Sequence, residues 1–332
     1  MRCVFSSNSG FVLVHLPLSE TSRWRAVVGV LRSPVDALVS ALLPASCLLC
    51  GCLLPRLTSA PICDLCWSEI PSATSEVVCL RCGDSLPEPA GTQFFTLCRA
   101  CHLVPPPFER AVAYGVYQDR LRDAIHAFKY GRLHPAAREL GSMLARAIAR
   151  LAEESPEEML VVPVPLHSSK LAKRGFNQAR LLAREALRLL DESHPAWKLE
   201  LAPGTLMRLR ETRSQAGLNL RQRRLNVSGA FSVSDPRAVA GRHILLIDDI
   251  MTTGATARAA AQALIRAGAE SVRVATLARA QRIYAEGRVS FEGAAAGEPV
   301  GQMQGADVRS TGSIAGQPSL GAGEGTCLWE RP

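Results

Sequence analysis

The chain has 332 residues, 47% of them hydrophobic, which is enough for a sizeable core and about two domains and excludes a wholly disordered protein. A net charge of +8 suits phosphorylated ligands or nucleic acid without proving either. No apolar stretch is long enough to span a membrane: Ala26 to Leu43 is broken by Arg32, Pro34 and Asp36, and Phe11 to Leu18 is too short and has no convincing cleavage site after it. The chain is therefore expected in the cytoplasm.

Residues 1–43 read as an amino-terminal extension. Trp24 to Leu43 carries weak helical periodicity through Val27, Val28, Leu31, Val35, Leu38 and Leu42. Four C-x-x-C pairs follow: Cys47/Cys50, Cys63/Cys66, Cys79/Cys82 and Cys98/Cys101. Zinc takes four tetrahedral ligands, and two short knuckles of thiolates supply them. Sequential pairing gives intervening loops of 12 and 15 residues, normal for zinc ribbons, with Gly51 and Gly83 as the tight turns. A redox C-x-x-C usually occurs once, beside a βαβ unit, and disulfides conflict with a cytosolic setting. Residues 44–104 thus form a module with two structural Zn2+ sites, all eight ligands being Cys. A crossed pairing of the first knuckle with the last remains open, and Cys52 can replace Cys50 in a slipped arrangement. Cys3 and Cys327 are left over.

Pro105 to Pro107 is a stiff boundary, and residues 108–282 read as a second domain. Val112, Tyr114 and Val116 alternate as in a strand. Helices are expected over Asp119 to Lys129 and Pro135 to Leu151. A buried strand follows over Met159 to Val164, then a helix over Asn177 to Leu190. Ile244 to Ile247 is a short continuous apolar run, as in a buried parallel strand. A helix from Ala255 ending near Gly268 and a strand over Ser271 to Leu277 complete the series. Strands alternating with helices predict an α/β, doubly wound parallel sheet. Residues 283–332 turn Gly-, Ala- and Ser-rich and read as a disordered tail.

Three basic or acidic constellations carry chemistry. Asp248 and Asp249 end the apolar run, where open α/β sheets bind ligands, and their carboxylates can accept hydrogen bonds from vicinal ribose hydroxyls. Thr252, Thr253, Gly254, Ala255 and Thr256 then open a helix, whose free N–H groups and dipole favour a phosphate. That order is what a 5-phosphoribosyl 1-diphosphate (PRPP) site needs. Lys170, Lys173 and Arg174, beyond Pro163 to His167, can supply charge for a diphosphate. Arg208, Arg210, Arg213, Arg221, Arg223 and Arg224 surround the lone Glu211. A loop closing over diphosphate, a contact to DNA phosphates or a solvated basic loop would each look like this. Lys129 is a candidate charge near the site, or a surface lysine.

The segment ILLIDDIMTTGAT resembles the PRPP motif of type I phosphoribosyltransferases. With the cysteine knuckles, Ile125 to Gly131 (IHAFKYG), Val162 to His167 (VPVPLH), Arg174 to Ala179 (RGFNQA), Thr212 to Leu218 (TRSQAGL) and Arg221 to Val227 (RQRRLNV), the pattern over about residues 40–282 resembles the ComF family, competence-associated phosphoribosyltransferase-like proteins. The resemblance implies a double zinc ribbon joined to a type I phosphoribosyltransferase-like fold, with PRPP or ribose 5-phosphate recognised together with Mg2+. Its implied role lies in DNA uptake or in processing incoming single-stranded DNA. Two classes follow. As a glycosyltransferase of unknown acceptor, the chain would use Asp248, Asp249, Lys170, Arg174 and Arg213 in catalysis. As a non-catalytic module, it would bind PRPP or nucleic acid beside a DNA-translocating helicase of the competence type.

Overall fold

The computed structural model describes residues 45–54, 58–72, 77–86, 96–131, 133–210, 229–285 and 288–291, which fall in one compact unit, Met1–Ala296. The expected helix over Trp24 to Leu43, together with Cys3, Cys327 and residues 292–332, lies outside the described residues.

Each pair of knuckles is a miniature hairpin followed by a helical turn. Isolated antiparallel bridges join Ser46 to Leu53 and Val78 to Ser85. The turns close with Gly51 N–H donating to Cys47 C=O at 2.9 Å and Gly83 N–H to Cys79 C=O at 2.8 Å. Both glycines are left-handed, at φ +74° and +64°, the conformation only glycine adopts without strain. The second knuckle of each pair opens a short helix, α1 (Asp64–Ser68) and α2 (Arg99–Leu103).

The remainder is a five-stranded parallel sheet with layers on both faces. Its strands are β1 (Arg110–Val116), β2 (Glu158–Pro163), β3 (Lys198–Leu201), β6 (His243–Met251) and β7 (Ser271–Arg279), in the order β1-β7-β6-β2-β3. Helices α3 (Asp119–Tyr130), α4 (Ala137–Ala149), α5 (Ser168–Arg174), α6 (Gln178–Ser193) and α7 (Ala255–Arg266) link them. The two-stranded ribbon β4 (Leu206–Arg208) and β5 (Phe231–Val233) stands apart. Strand alternation sorts the core. Met159, Val161, Leu245 and Ile247 pack with α3, α4 and α6 on the first face. Leu160, Val162, Ile244 and Leu246 pack with α7 and β5 on the second.

The helices and strands foreseen from Asp119 to Leu277 are present, with three differences. Strand β6 runs on through Asp248 and Asp249 to Met251, because β7 continues to pair with it as far as Met251↔Arg279. The short strands β3, β4 and β5 were not anticipated, having too few residues to show alternation. Within the stretch expected as a tail from residue 283, β8 (Arg282–Ala285) pairs with β9 (Arg288–Phe291), and residues 292–332 of that expectation lie outside the described residues. Among the described residues no helix is long and apolar enough to cross a membrane.

The two cysteine clusters seat on opposite faces. Cys47, Leu54, Ile62, Cys66 and Ile70 join the first core, with Tyr114 and Leu121. Cys79, Cys82, Cys98 and Cys101 join the second, with Phe108 and Ala111.

Candidate functional site and metal centres

The strand order reverses between β2 and β6. From β2 the chain moves outward to β3, and from β6 it moves the other way to β7. Ligands of open α/β sheets bind in the crevice at such a switch point, beyond the carboxyl ends of the strands. Here the crevice lies between the two segments that the sequence marked, Val164 to Arg174 after β2 and Asp248 to Thr256 on β6.

Adjacent residues of a strand face opposite sides, and this divides the carboxylate pair. Asp249 turns toward the first face, where it is 4% exposed and pairs with the Lys129 ammonium of α3 at 3.0 Å. Burial works against the Lys129 charge, but the Asp249 carboxylate outweighs it and raises the lysine above its ordinary value. Lys129 is thus a site residue and not a surface lysine. Asp248 retains some solvent contact, yet the protein packed around its carboxyl and then the charge of Asp249 push it up to about 7. The Asp249 N–H, donating to Asp248 Oδ1 at 2.9 Å, and then the charges of Lys129 and of Arg208 on β4 partly offset that rise. The Arg208 guanidinium also stacks 5.4 Å from the Phe231 ring centroid. Tyr117, at the end of β1, is raised by burial and feels Lys129 and Asp249.

The Thr252–Thr256 loop is open around Gly254. Gly254 at φ +74° is the N-cap of α7, and Thr253 Oγ1 accepts from Ala255 N–H at 3.2 Å. A Cβ on Gly254 would meet the Met251 side chain at ordinary contact distance, its sulfur at 3.8 Å and its Cγ at 4.0 Å, so a larger residue would suffer there from its backbone conformation and not from protein crowding.

After β2, His167 caps α5, its Nδ1 accepting from Ser169 N–H at 3.3 Å. Lys170, Lys173 and Arg174 therefore ride on a short helix ended by left-handed Gly175, not on a loop. Asn177 ties the next turn back: its Nδ2 donates to Val164 C=O at 3.0 Å and its Oδ1 accepts from Arg180 N–H at 3.1 Å. The Arg174 guanidinium lies 5.2 Å from the Tyr130 centroid, and Phe176 packs 5.4 Å from Phe128. These contacts join the FKYG and RGFN segments beside the crevice. Arg213, Arg221, Arg223 and Arg224 lie outside the described residues. Arg208 was visible in sequence only as one of a basic run. Its place beside Asp248 depends on the short β4–β5 pairing, which gave no signal.

The metal centres follow sequential pairing. Cys47, Cys50, Cys63 and Cys66 bring their sulfurs within 4.8 Å of one another, as do Cys79, Cys82, Cys98 and Cys101. Separations are 3.8 Å for Cys47–Cys66, 3.7 Å for Cys50–Cys63 and 3.7 Å for Cys82–Cys98. A tetrahedron with Zn–S bonds of about 2.3 Å has edges of roughly 3.8 Å, so both clusters fit Zn2+. Cys52 is exposed and belongs to neither. Burial pushes the Cys47 thiol up, but N–H groups of Cys63, Cys50 and Leu49 more than offset this and bring it to about 6. Closed four-sulfur sites leave no open position, so the metal is structural.

Comparison with known proteins agrees with both parts. Residues 38–102 match the model of a double zinc ribbon domain and residues 144–288 that of a phosphoribosyl transferase domain. The DNA utilization protein YhgH of Salmonella typhi is 35% identical over 184 residues, covering 55% of this chain and 77% of that protein. Competence protein F of Haemophilus influenzae is 30% identical over 186 residues, covering 55% and 78%. Competence protein ComFC of Bacillus subtilis is 30% identical over 166 residues, covering 49% and 61%.

Proposed function

The chain belongs to the ComF family of competence-related, phosphoribosyltransferase-like proteins, and from that premise we propose that its crevice binds PRPP with Mg2+ in the cytoplasm. The observation that carries this reading is that the Thr252–Thr256 loop and the short helix α5 both follow strands at one switch point, each suited to a different part of the ligand. Asp248 and Asp249 would accept from the ribose hydroxyls. The N–H groups and hydroxyls of Thr252 to Thr256 would hold the 5-phosphate. Lys170, Arg174 and Arg213 would hold the diphosphate. Mg2+ would enter with PRPP and offset diphosphate charge. Lys129, paired with Asp249 at 3.0 Å, would hold that carboxylate in place.

As an enzyme, the protein would let an acceptor nitrogen attack C1. The bond from C1 to the diphosphate oxygen breaks, diphosphate leaves with the electron pair, and the acceptor gives its proton to solvent. Preorganised cations at the leaving group favour that step. The second reading is a binding module for DNA phosphates, acting beside a helicase. It is favoured by Arg208, whose charge feels the Asp248 carboxylate, by the arginines that follow it in the sequence as far as Arg224, and by the names of the relatives, a DNA utilization protein and a competence protein.

Calorimetry with PRPP and Mg2+ tests binding. Diphosphate release with a panel of bases, and with single-stranded DNA, tests the reaction. PRPP binding at micromolar to low millimolar concentration is expected. Absence of binding at millimolar PRPP would overturn the reading and favour the DNA module. Asp248→Asn should weaken PRPP roughly ten- to a hundredfold, since a charged hydrogen-bond partner is worth about 1.5–3 kcal/mol, while sulfate still binds the loop. Equal losses for both ligands would refute the division of labour.

A further inference from the structure

Arg279 ends β7, far in sequence from the metal ligands, and is 4% exposed. Burying a guanidinium is costly unless it is fully engaged, and its contacts define what it does. Its Nε donates to the Cys82 C=O at 3.2 Å, and its Nη2 pairs with the Asp84 carboxylate at 3.3 Å, Asp84 being fully buried. Both partners lie at the Cys79/Cys82 knuckle of the second zinc site. Its Nη1 donates to the Met251 C=O at 2.9 Å and to the Thr252 C=O, and also to the Ala280 C=O at 3.1 Å. Met251 and Thr252 begin the phosphate loop. One planar fork therefore spans from a metal ligand's backbone to the loop.

A trans peptide points its C=O and its following N–H in opposite directions. Holding the Thr252 C=O on Arg279, and the Met251 C=O on Arg279 and on the Ala280 N–H at 3.0 Å, turns the N–H groups of Thr253 and Thr252 away from the guanidinium. We infer that Arg279 is a positioning residue that braces the Thr252–Thr256 loop against the Cys79/Cys82 knuckle of the second zinc site, so that metal in this site holds the loop amides ready for a phosphate monoester. A second tie supports the brace. Arg258, in the first turn of α7, donates to Val104 C=O at 3.1 Å and Pro105 C=O at 3.3 Å, just after Cys101. The knuckle itself is seated tightly, for a Cβ on Gly83 would stand 2.9 Å from Ala111 O. Among the described residues, the arginine at the first zinc site, Arg120, reaches Glu69 and the Leu49 C=O and not the loop. Lysine cannot replace the fork, because a single ammonium cannot reach both sets of partners.

The affinity part of this inference rests on the reading of the loop as the 5-phosphate site, and the test separates the two. Full-length, zinc-loaded wild type, Arg279→Lys and Asp84→Asn are compared by hydrogen exchange of amides 252–256 and by calorimetry with ribose 5-phosphate. Arg120→Ala, at the first ribbon, serves as control. The expected result is about two zinc ions per chain in Arg279→Lys, exchange at the loop amides about tenfold faster, and ribose 5-phosphate affinity lower by about tenfold, the size of a lost charged hydrogen bond. Arg120→Ala should match wild type in both. If Arg279→Lys fails to fold, Asp84→Asn carries the same expectation, since it keeps the guanidinium and weakens one end of the brace. Wild-type loop protection in a folded, zinc-loaded variant overturns the inference. Failure of wild type to bind ribose 5-phosphate overturns the reading of the loop, and the exchange data then decide on the brace alone.

Discussion

The two zinc sites share spacing and ligands, yet the fold uses them differently. The first lies on the face with α3, α4 and α6, where it packs through Leu54, Ile62 and Ile70, but its polar ties are partly exposed. Cys50 is exposed, Arg120 reaches Glu69 at 3.1 Å and Leu49 C=O at 3.1 Å, and the Tyr114 hydroxyl reaches Ile70 C=O at 3.5 Å. The second lies on the opposite face with all four cysteines buried, joined through the buried Arg279–Asp84 pair to the phosphate loop. Identical motifs can thus be a clamp on a domain's flank or a part of its site. The difference is set by what packs behind the knuckle and not by the knuckle.

The largest break in this comparison should come from the metal ligands. Structural zinc contributes folding energy directly. Cys82→Ser is expected to leave about one zinc per chain, to lower Tm by on the order of 10 °C or more, and to remove sulfate binding at the loop. Cys50→Ser, at an exposed ligand, should cost less and leave sulfate binding intact in the folded protein. Elemental analysis, thermal denaturation and calorimetry read the three effects. Equal loss of sulfate binding in both variants would show that the ribbons act as one block.

Next in size is the ion pair that joins the first face to the crevice. Lys129→Met leaves the Asp249 carboxylate buried without its cation, which typically costs about 3–5 kcal/mol. Lys129→Met combined with Asp249→Asn should recover much of that stability but not PRPP binding. Denaturant melts of the two single variants and the double variant measure the coupling. Additive losses would mean that the pair contributes nothing beyond its separate residues.

Much of this arrangement is legible in the sequence because it depends on local pattern. The apolar run into Asp248, the Thr-Gly loop and the four knuckles each carry their geometry within a few residues. The ties between segments do not. Arg279 follows a strand, with no nearby acid to mark it, and its partners Asp84 and Met251 lie elsewhere in the chain. Lys129 was visible only as a lysine in FKYG, since its pairing with Asp249 depends on α3 crossing the first face. The strand direction of Asp248 and Asp249 was also hidden: read as the end of a strand they share one environment, but with β6 continuing to Met251 they face opposite sides.

That split gives a smaller, pH-dependent effect. Asp248, with Asp249, Lys129 and Arg208 as its charged neighbours, titrates at about 7. The folded chain therefore holds this proton to a higher pH than the unfolded chain does. Stability from this group declines as pH rises from about 4 through about 7 and levels off above. Ligand binding runs the other way, because ribose hydroxyls donate to the ionised carboxylate. With a group titrating near 7, PRPP affinity should rise by about tenfold between pH 6 and pH 8, beyond the change due to the ligand's own phosphates. Asp248→Asn should show only the ligand's share. An unchanged pH profile in that variant would remove Asp248 from ribose binding.

The smallest effect expected is at Arg120, the first ribbon's counterpart of Arg279. Both arginines join a knuckle to the transferase core, and both donate to a backbone carbonyl and pair with a carboxylate. Their surroundings differ. Arg120 and Glu69 keep 33% and 45% of their side-chain exposure, against 5% and 0% for Arg279 and Asp84. Water screens the exposed pair and solvates each partner when the other is removed, whereas the buried pair leaves an uncompensated charge. Arg120→Ala should therefore change Tm little, retain about two zinc ions and bind PRPP as wild type does, while Arg279→Ala should lose stability and loop order together. Thermal melts and zinc content of the two variants, measured side by side, decide it. A large loss on Arg120→Ala would mean that the first ribbon is held by this contact and not by the apolar packing of Leu54, Ile62 and Ile70 against the core.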